Sequence, residues 1–225
     1  MIKSKKTGQV IVISSPSGGG KGTIIAELLK RNKNLWLSVS TTSRPMRTND
    51  IAGVTYNFVT RDEFIKKINE GYFLEYTEYA GNYYGTPIGP IKEKLDQGID
   101  VILEIEIEGA SNIKKLIPES LFIFIMPPSI KTLVKRLKKR NTDTNDKLLK
   151  RFHKTYKEIN EVTKYNYVVV NDNLEDAIDK VEAIIKAEKC SVNRIEEVYL
   201  DTKEEEIHEL LMEEDYNNDS LSERI

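Results

Sequence analysis

Cysteine is nearly absent from this chain: Cys190 is the single one in 225 residues. An internal disulfide framework and a cysteine-rich zinc site are thereby excluded. Cys190 itself reads as an inert residue near a helix end. Histidine is almost as scarce, and His153 and His208, with no partner motif, read as surface residues. No run is long and apolar enough for a membrane span. The start, Met1-Ile2-Lys3-Ser4-Lys5-Lys6, leads into no apolar stretch of signal-peptide length, so a soluble cytoplasmic protein is expected. Internal repeats and low-complexity segments are missing too. So is charge of one sign, since 34 Lys and Arg face 36 Asp and Glu. That balance is uneven along the chain. Basic residues are in excess through residue 190, whereas acids such as Glu204, Glu205 and Glu206 dominate from Ser191 onward. A basic body suits an anionic ligand, and the acidic tail reads as an appendage. The apolar fraction, 39%, is enough for a real core in one sizeable α/β domain or two small ones.

Against these absences one stretch stands out: Ser15-Pro16-Ser17-Gly18-Gly19-Gly20-Lys21-Gly22-Thr23. It follows the apolar run Val10–Ile13 and precedes the helix-like run Ile24-Ile25-Ala26-Glu27-Leu28-Leu29. A strand, a glycine-rich turn, a lysine and a helix form a phosphate cradle. Glycines let backbone N–H groups converge on an anion, the helix directs its positive end at the same place, and Lys21 adds a mobile charge. Ser15 stands where the general pattern has Gly, and Gly22 where it has Ser or Thr. The plainer alternative is a small-residue turn between a strand and a helix.

Strand-like runs are Val10–Ile13, Asp100–Ile107, Leu121–Ile125 and Tyr167–Val170. Helical patterns cover Gly22–Arg31, Ile88–Gln97, Ser129–Lys139, Lys147–Tyr165 and Leu174–Lys189. Continuous β-branched strands alternating with helices predict a parallel α/β sheet. Leu37 to Pro87 is richer in Tyr, Thr, Gly and Asn and predicts a small, mostly β insertion. Ile195 to Met212 scatters apolar residues among acids, the pattern of a docking helix or a marginal one.

Three further constellations carry chemistry. Arg44 and Arg47, with Tyr56 and Tyr84 nearby, suit a phosphate monoester, since arginine forks grip its oxygens and tyrosine hydroxyls donate to the rest. Taken alone, a solvated basic loop explains them equally well. Glu104 and Glu106 alternate in an apolar run, which puts both on one face of a strand; acids there are costly unless paired or facing a site. Arg136 and Arg140 are spaced to share a helix face, with Arg151 beyond. Without other information they form a basic surface stripe.

Taken in order, the loop, Ser-Thr-Thr-x-Arg (residues 40–44), Tyr56-Asn57-Phe58, Gly81-Asn82-Tyr83-Tyr84-Gly85-Thr86, Leu103-Glu104-Ile105-Glu106 and Asn171-Asp172 resemble a guanylate kinase from about Val10 to about Lys189. The resemblance implies a P-loop kinase core with helices on both faces, a β GMP-binding insertion and a helical lid. It implies a guanylate-kinase-like domain over 1–190: core 1–36 and 88–190, insertion at about 37–87, lid at about 136–155. Residues 191–225 remain an acidic extension. The implied reaction is ATP-dependent phosphorylation of GMP and dGMP to the diphosphate by in-line transfer, within purine nucleotide metabolism.

Roles follow from the same resemblance. Arg44, Arg47, Tyr56 and Tyr84 would hold the GMP phosphate. Glu75 and Thr86, with Ser40, Glu104 and Glu106 nearby, would serve the guanosine. Ser15 to Thr23 and Asn171 would bind ATP. Lys21, Arg44, Arg136, Arg140 and Arg151 would supply catalytic charge. Mg²⁺ would accompany ATP, largely water-ligated, with Thr23 the candidate protein ligand. Chemistry supports the guanine assignment: a carboxylate such as Glu75 accepts from N1–H and the 2-amino group, and a hydroxyl of Thr86 or Ser40 donates to O6. Glu106 stands where Asp is common in the family, Glu108 where Gln is usual, and Asn141 where Gly is usual. No nucleic-acid or membrane partner is implied, and the chain is expected to work as a monomer or homodimer. The alternatives are a non-catalytic guanylate-kinase-like binding module and a kinase for another nucleoside monophosphate.

Overall fold

The structure, a computed structural model, describes residues 2–4, 7–79, 81–139, 145–198 and 212. In chain order the elements are β1 (Ile2–Ser4), β2 (Val10–Ser14), α1 (Lys21–Arg31), β3 (Leu35–Leu37), β4 (Thr41–Thr42), β5 (Asn57–Phe58) and α2 (Arg61–Asn69). Then come β6 (Phe73–Tyr79), β7 (Asn82–Pro87), α3 (Ile88–Asp96), β8 (Asp100–Glu104), α4 (Ile107–Leu116) and β9 (Leu121–Met126). The remainder are α5 (Ile130–Lys139), α6 (Asn145–Asn160), β10 (Tyr167–Val170), α7 (Leu174–Glu188) and β11 (Ile195–Val198). Residues 6–189 form one compact unit; the described residues 2–4, 190–198 and 212 belong to another.

In the larger unit five parallel strands lie in the order β10-β9-β2-β8-β3. Side chains alternate across a strand, and the core divides accordingly. Ile11, Ile13, Ile102, Ile123 and Ile125 pack on one face against Ile24 and Leu28 of α1 and Ile178 and Val181 of α7. Val10, Val12, Val101, Leu103 and Phe122 pack on the other against Ile91 of α3 and Ile113 of α4. Helices thus cover both faces, as a buried parallel sheet requires.

Three regions differ from the sequence expectation. The strand predicted for Asp100–Ile107 ends at Glu104, and α4 begins at Ile107 after Glu106 in an extended N-cap conformation. Glu104 and Glu106 therefore share a cavity but not a strand. The mostly β insertion contains the four-stranded sheet β5-β4-β7-β6 and also α2. Thr60 and Glu63 make a reciprocal capping box that starts this helix, and Phe64 is buried between the rings of Phe73 and Tyr83. In the smaller unit β1 and β11 pair antiparallel, so Ile195–Val198 is a strand where the tail pattern suggested a helix. His208 lies outside the described residues; His153 and Cys190 are exposed.

Candidate functional site

Ligands of open parallel sheets sit beyond the carboxyl ends of the strands, and the predicted site residues gather there. Ser14 ends β2 and leads into the glycine-rich loop; Glu104 ends β8; Asn171 follows β10. Gly20 caps α1 in the left-handed region, φ 95°, which glycine adopts without strain. A side chain at Gly20 would also run into Asn171 Nδ2. That amide donates to Gly19 O at 2.9 Å, and Arg136 donates to Asn171 O at 3.1 Å and Gly19 O at 3.4 Å. Arg136 and Asn171 thus brace the loop from the side. Lys21 Nζ lies 3.8 Å from Glu104 Oε1, so the loop's lysine has a counterion.

Two cavities flank the loop. A cavity of about 540 Å³ is lined by Ser17, Ser40, Arg44, Arg47, Tyr56, Glu75, Tyr84, Glu104 and Glu106, all predicted site residues. A second, of about 390 Å³, is lined by Gly18, Gly20, Thr23, Arg136, Asn171, Asp172 and Leu174. Consecutive residues, Ser17 and Gly18, thus face different cavities. Ser15, Pro16, Gly19, Lys21 and Gly22 complete the loop without lining either. Arg140 lies outside the described residues, as does Asn141, and nothing is described of the Arg151 side chain.

Glu75 on β6 and Thr86 on β7 are register partners. The Thr86 hydroxyl donates to Glu75 Oε1 at 2.6 Å, and both side chains are buried. That bond spends the hydroxyl proton on the carboxylate, so Thr86 orients Glu75 rather than presenting a free donor. Burial pushes Glu75 above the usual glutamate range; the Thr86 bond opposes this and the charge of Glu108 adds to it. Gly109 leaves room for the carboxylate, since a Cβ there would sit 3.1 Å from Glu75 Oε2.

Elsewhere in this cavity Arg44 is nearly buried. Its Nη1 donates to Pro45 O at 2.8 Å, and its guanidinium stands 5.5 Å from the ring centre of Tyr56 and 5.6 Å from that of Phe58. Tyr56 and Tyr84 meet edge-on at 5.9 Å. Burial raises the Tyr56 hydroxyl above its ordinary range, so it remains a proton donor at neutral pH.

Among the lining residues that sequence reasoning missed are Asp50, Thr155 and Glu158. Glu158 Oε2 accepts from the backbone N–H of Ser17 at 3.4 Å, which joins α6 to the loop. Its signal, an acid on an amphipathic helix, is that of any solvated helix face. Among the described residues no group of His, Cys, Asp and Glu is arranged to hold a metal by itself.

Comparison with known proteins identifies relatives along most of the chain. A family model described as guanylate kinase matches residues 7–188. A guanylate kinase of Clostridium tetani is 53% identical over 204 residues, 91% of this chain and 98% of that protein. One from Clostridium perfringens is 50% identical over 210 residues, covering 93% and 97%. Among solved structures, guanylate kinase from Anaplasma phagocytophilum superposes with a TM-score of 0.71 at 31% identity, covering 86% of this chain and 92% of that one.

Proposed function

This chain belongs to the guanylate kinase family, and on that premise we propose how its residues carry out the ATP-dependent phosphorylation of GMP. One observation supports the assignment most: a single cavity is lined both by Glu75, which the Thr86 hydroxyl orients, and by the group Arg44, Arg47, Tyr56 and Tyr84. Such a cavity receives a molecule that offers paired N–H donors and a phosphate monoester, which describes GMP or dGMP. Adenine has no paired donors for Glu75, and a desolvated carboxylate left unmatched penalises AMP.

ATP is assigned to the second cavity, with its phosphates at residues 15–23. The acceptor phosphate is already anionic at neutral pH, so no strong base is required. Transfer proceeds in line: an oxygen of the GMP phosphate bonds to the γ-phosphorus as the bond to the β-bridging oxygen breaks, giving GDP and ADP. The protein positions the two phosphates beside the loop, where Ser17 faces one cavity and Gly18 the other, and neutralises their charge. Lys21, released from Glu104, and Arg44, Arg136, Arg140 and Arg151 are the assigned cationic groups. Asn171 and Arg136 hold the loop's shape.

The donor set fits a hydrated Mg²⁺. Gly22 has no hydroxyl, but the Cβ it lacks would lie 3.7 Å from Glu104 Oε1, so a carboxylate borders the place where a P-loop hydroxyl ordinarily stands. Glu104, through water, and Thr23 are the protein groups assigned to it. When bound, the ion neutralises the β- and γ-phosphate oxygens. We assign catalysis to residues 1–190, comprising the core, the insertion and the lid, in a monomer or homodimer of the cytoplasm.

The test is ADP formation from ATP and Mg²⁺ with GMP, dGMP, AMP, UMP or CMP offered separately. Turnover with GMP and dGMP and rejection of AMP is the expected result. Preference for another acceptor would overturn the guanine assignment, and no turnover in folded protein would favour a binding module. Lys21→Ala should lower kcat by roughly 10²–10³-fold with the fold intact.

A further inference from the structure

Asp50 belongs to no motif, yet it occupies the centre of the arginine group. Its Oδ2 lies 2.9 Å from Arg44 Nη2, and the two side chains are only 10% and 9% exposed. The same oxygen accepts the backbone N–H of Arg47 at 2.7 Å. Arg44 is therefore held by Asp50 and by Pro45 O, beside the rings of Tyr56 and Phe58. Asp50 itself lines the cavity.

We propose that Asp50 is the positioning residue of the acceptor-phosphate subsite. Through one oxygen it ties the Arg44 guanidinium to the Arg47 backbone and sets both arginines in place before a phosphate monoester arrives. A long arginine free to rotate loses side-chain entropy on binding; one already fixed does not. Arg44, Arg47 and Asp50 together carry one net positive charge. The Tyr56 and Tyr84 hydroxyls complete the donors without adding charge. Backbone donation from Arg47 also holds the Asp50 carboxyl below the ordinary aspartate range, so it stays ionised wherever the enzyme works. The inference rests on the reading of this cavity as the GMP site. A purely local role is the competing explanation, because an aspartate accepting from the backbone three residues earlier also stabilises a loop.

The experiment is steady-state kinetics in both substrates for the wild type and for Asp50→Ala, Asp50→Asn and Asp50→Glu, with melting temperatures. In Asp50→Ala, KM for GMP should rise about tenfold or more, while KM for ATP holds and kcat changes less than about threefold. Asp50→Asn keeps an acceptor for the Arg47 N–H but loses the charge, so its KM for GMP should fall between the two. Asp50→Glu restores the carboxylate and should recover most of the loss. Two results overturn the proposal: KM for GMP within about twofold of wild type in Asp50→Ala, or KM for both substrates rising together as the melting temperature drops. If Asp50→Ala does not fold, Asp50→Asn decides on the same criteria. Wild-type protein that fails to phosphorylate GMP would remove the site reading itself. An active wild type with indifferent variants would remove only the role of Asp50.

Discussion

A carboxylate that must accept from guanine works only while ionised, and burial raises the Glu75 pKa above the ordinary glutamate range. As pH falls through that raised value, Glu75 gains a proton and KM for GMP should rise, whereas KM for ATP should not follow. Because Glu108 contributes to the shift, Glu108→Gln should move this acid limb to lower pH; a limb that stays in place would assign the shift to burial alone. The stability consequence has the opposite sign. The folded state holds the Glu75 proton more tightly than the unfolded one, so this group's stabilisation is full below the unfolded pKa and fades as pH rises through the folded value. Urea titration of wild type and Glu75→Gln across that window should show the fade in the wild type only. Thr86→Val removes the donor that orients Glu75 and should raise KM for GMP about tenfold, the worth of one hydrogen bond to a charged group, leaving ATP kinetics unchanged. At this scale the motif residues were legible because each sits in a run of matching neighbours, as Lys21 and Glu75 do. Asp50 was not, because an aspartate among Thr48, Asn49 and Ile51 looks like any loop acid. Its partnership with Arg44 exists only once the loop has folded back.

At the scale of elements, the parallel strands were readable because burial on both faces makes them continuous apolar runs. Two helices were not. For α4 the alternation of Glu104, Ile105, Glu106 and Ile107 imitates a strand, and only the folded register shows that β8 stops at Glu104. For α2 the signal was present, in Thr60 with Glu63 three residues on, but lay within a stretch otherwise rich in strand formers. The cap is testable by itself. Thr60→Ala removes the hydroxyl that accepts the Glu63 N–H and should cost about 1 kcal/mol of unfolding free energy. Since Phe64 joins α2 to the rings of β6 and β7, hydrogen exchange should quicken in those strands as well; an effect confined to α2 would mean that the insertion does not unfold as one piece.

For the whole molecule, the division at residues 189–190 places every assigned functional residue within 6–189. Truncation after Cys190 should therefore leave kcat and both KM values within about twofold of the full chain. Kinetics that collapse on truncation would give the acidic tail a catalytic part. The pairing of Glu75 with Thr86 reaches further than any one assay. A descendant that lost Thr86 first would strand a buried acid without its donor, and one that lost Glu75 first would strand a hydroxyl without its acceptor. Both intermediates bind the old base poorly and gain nothing for a new one. On the proposed assignment of this pair to guanine, two coordinated changes on neighbouring strands would be needed to leave that base, so the choice of base would be held against drift by the pair rather than by either residue.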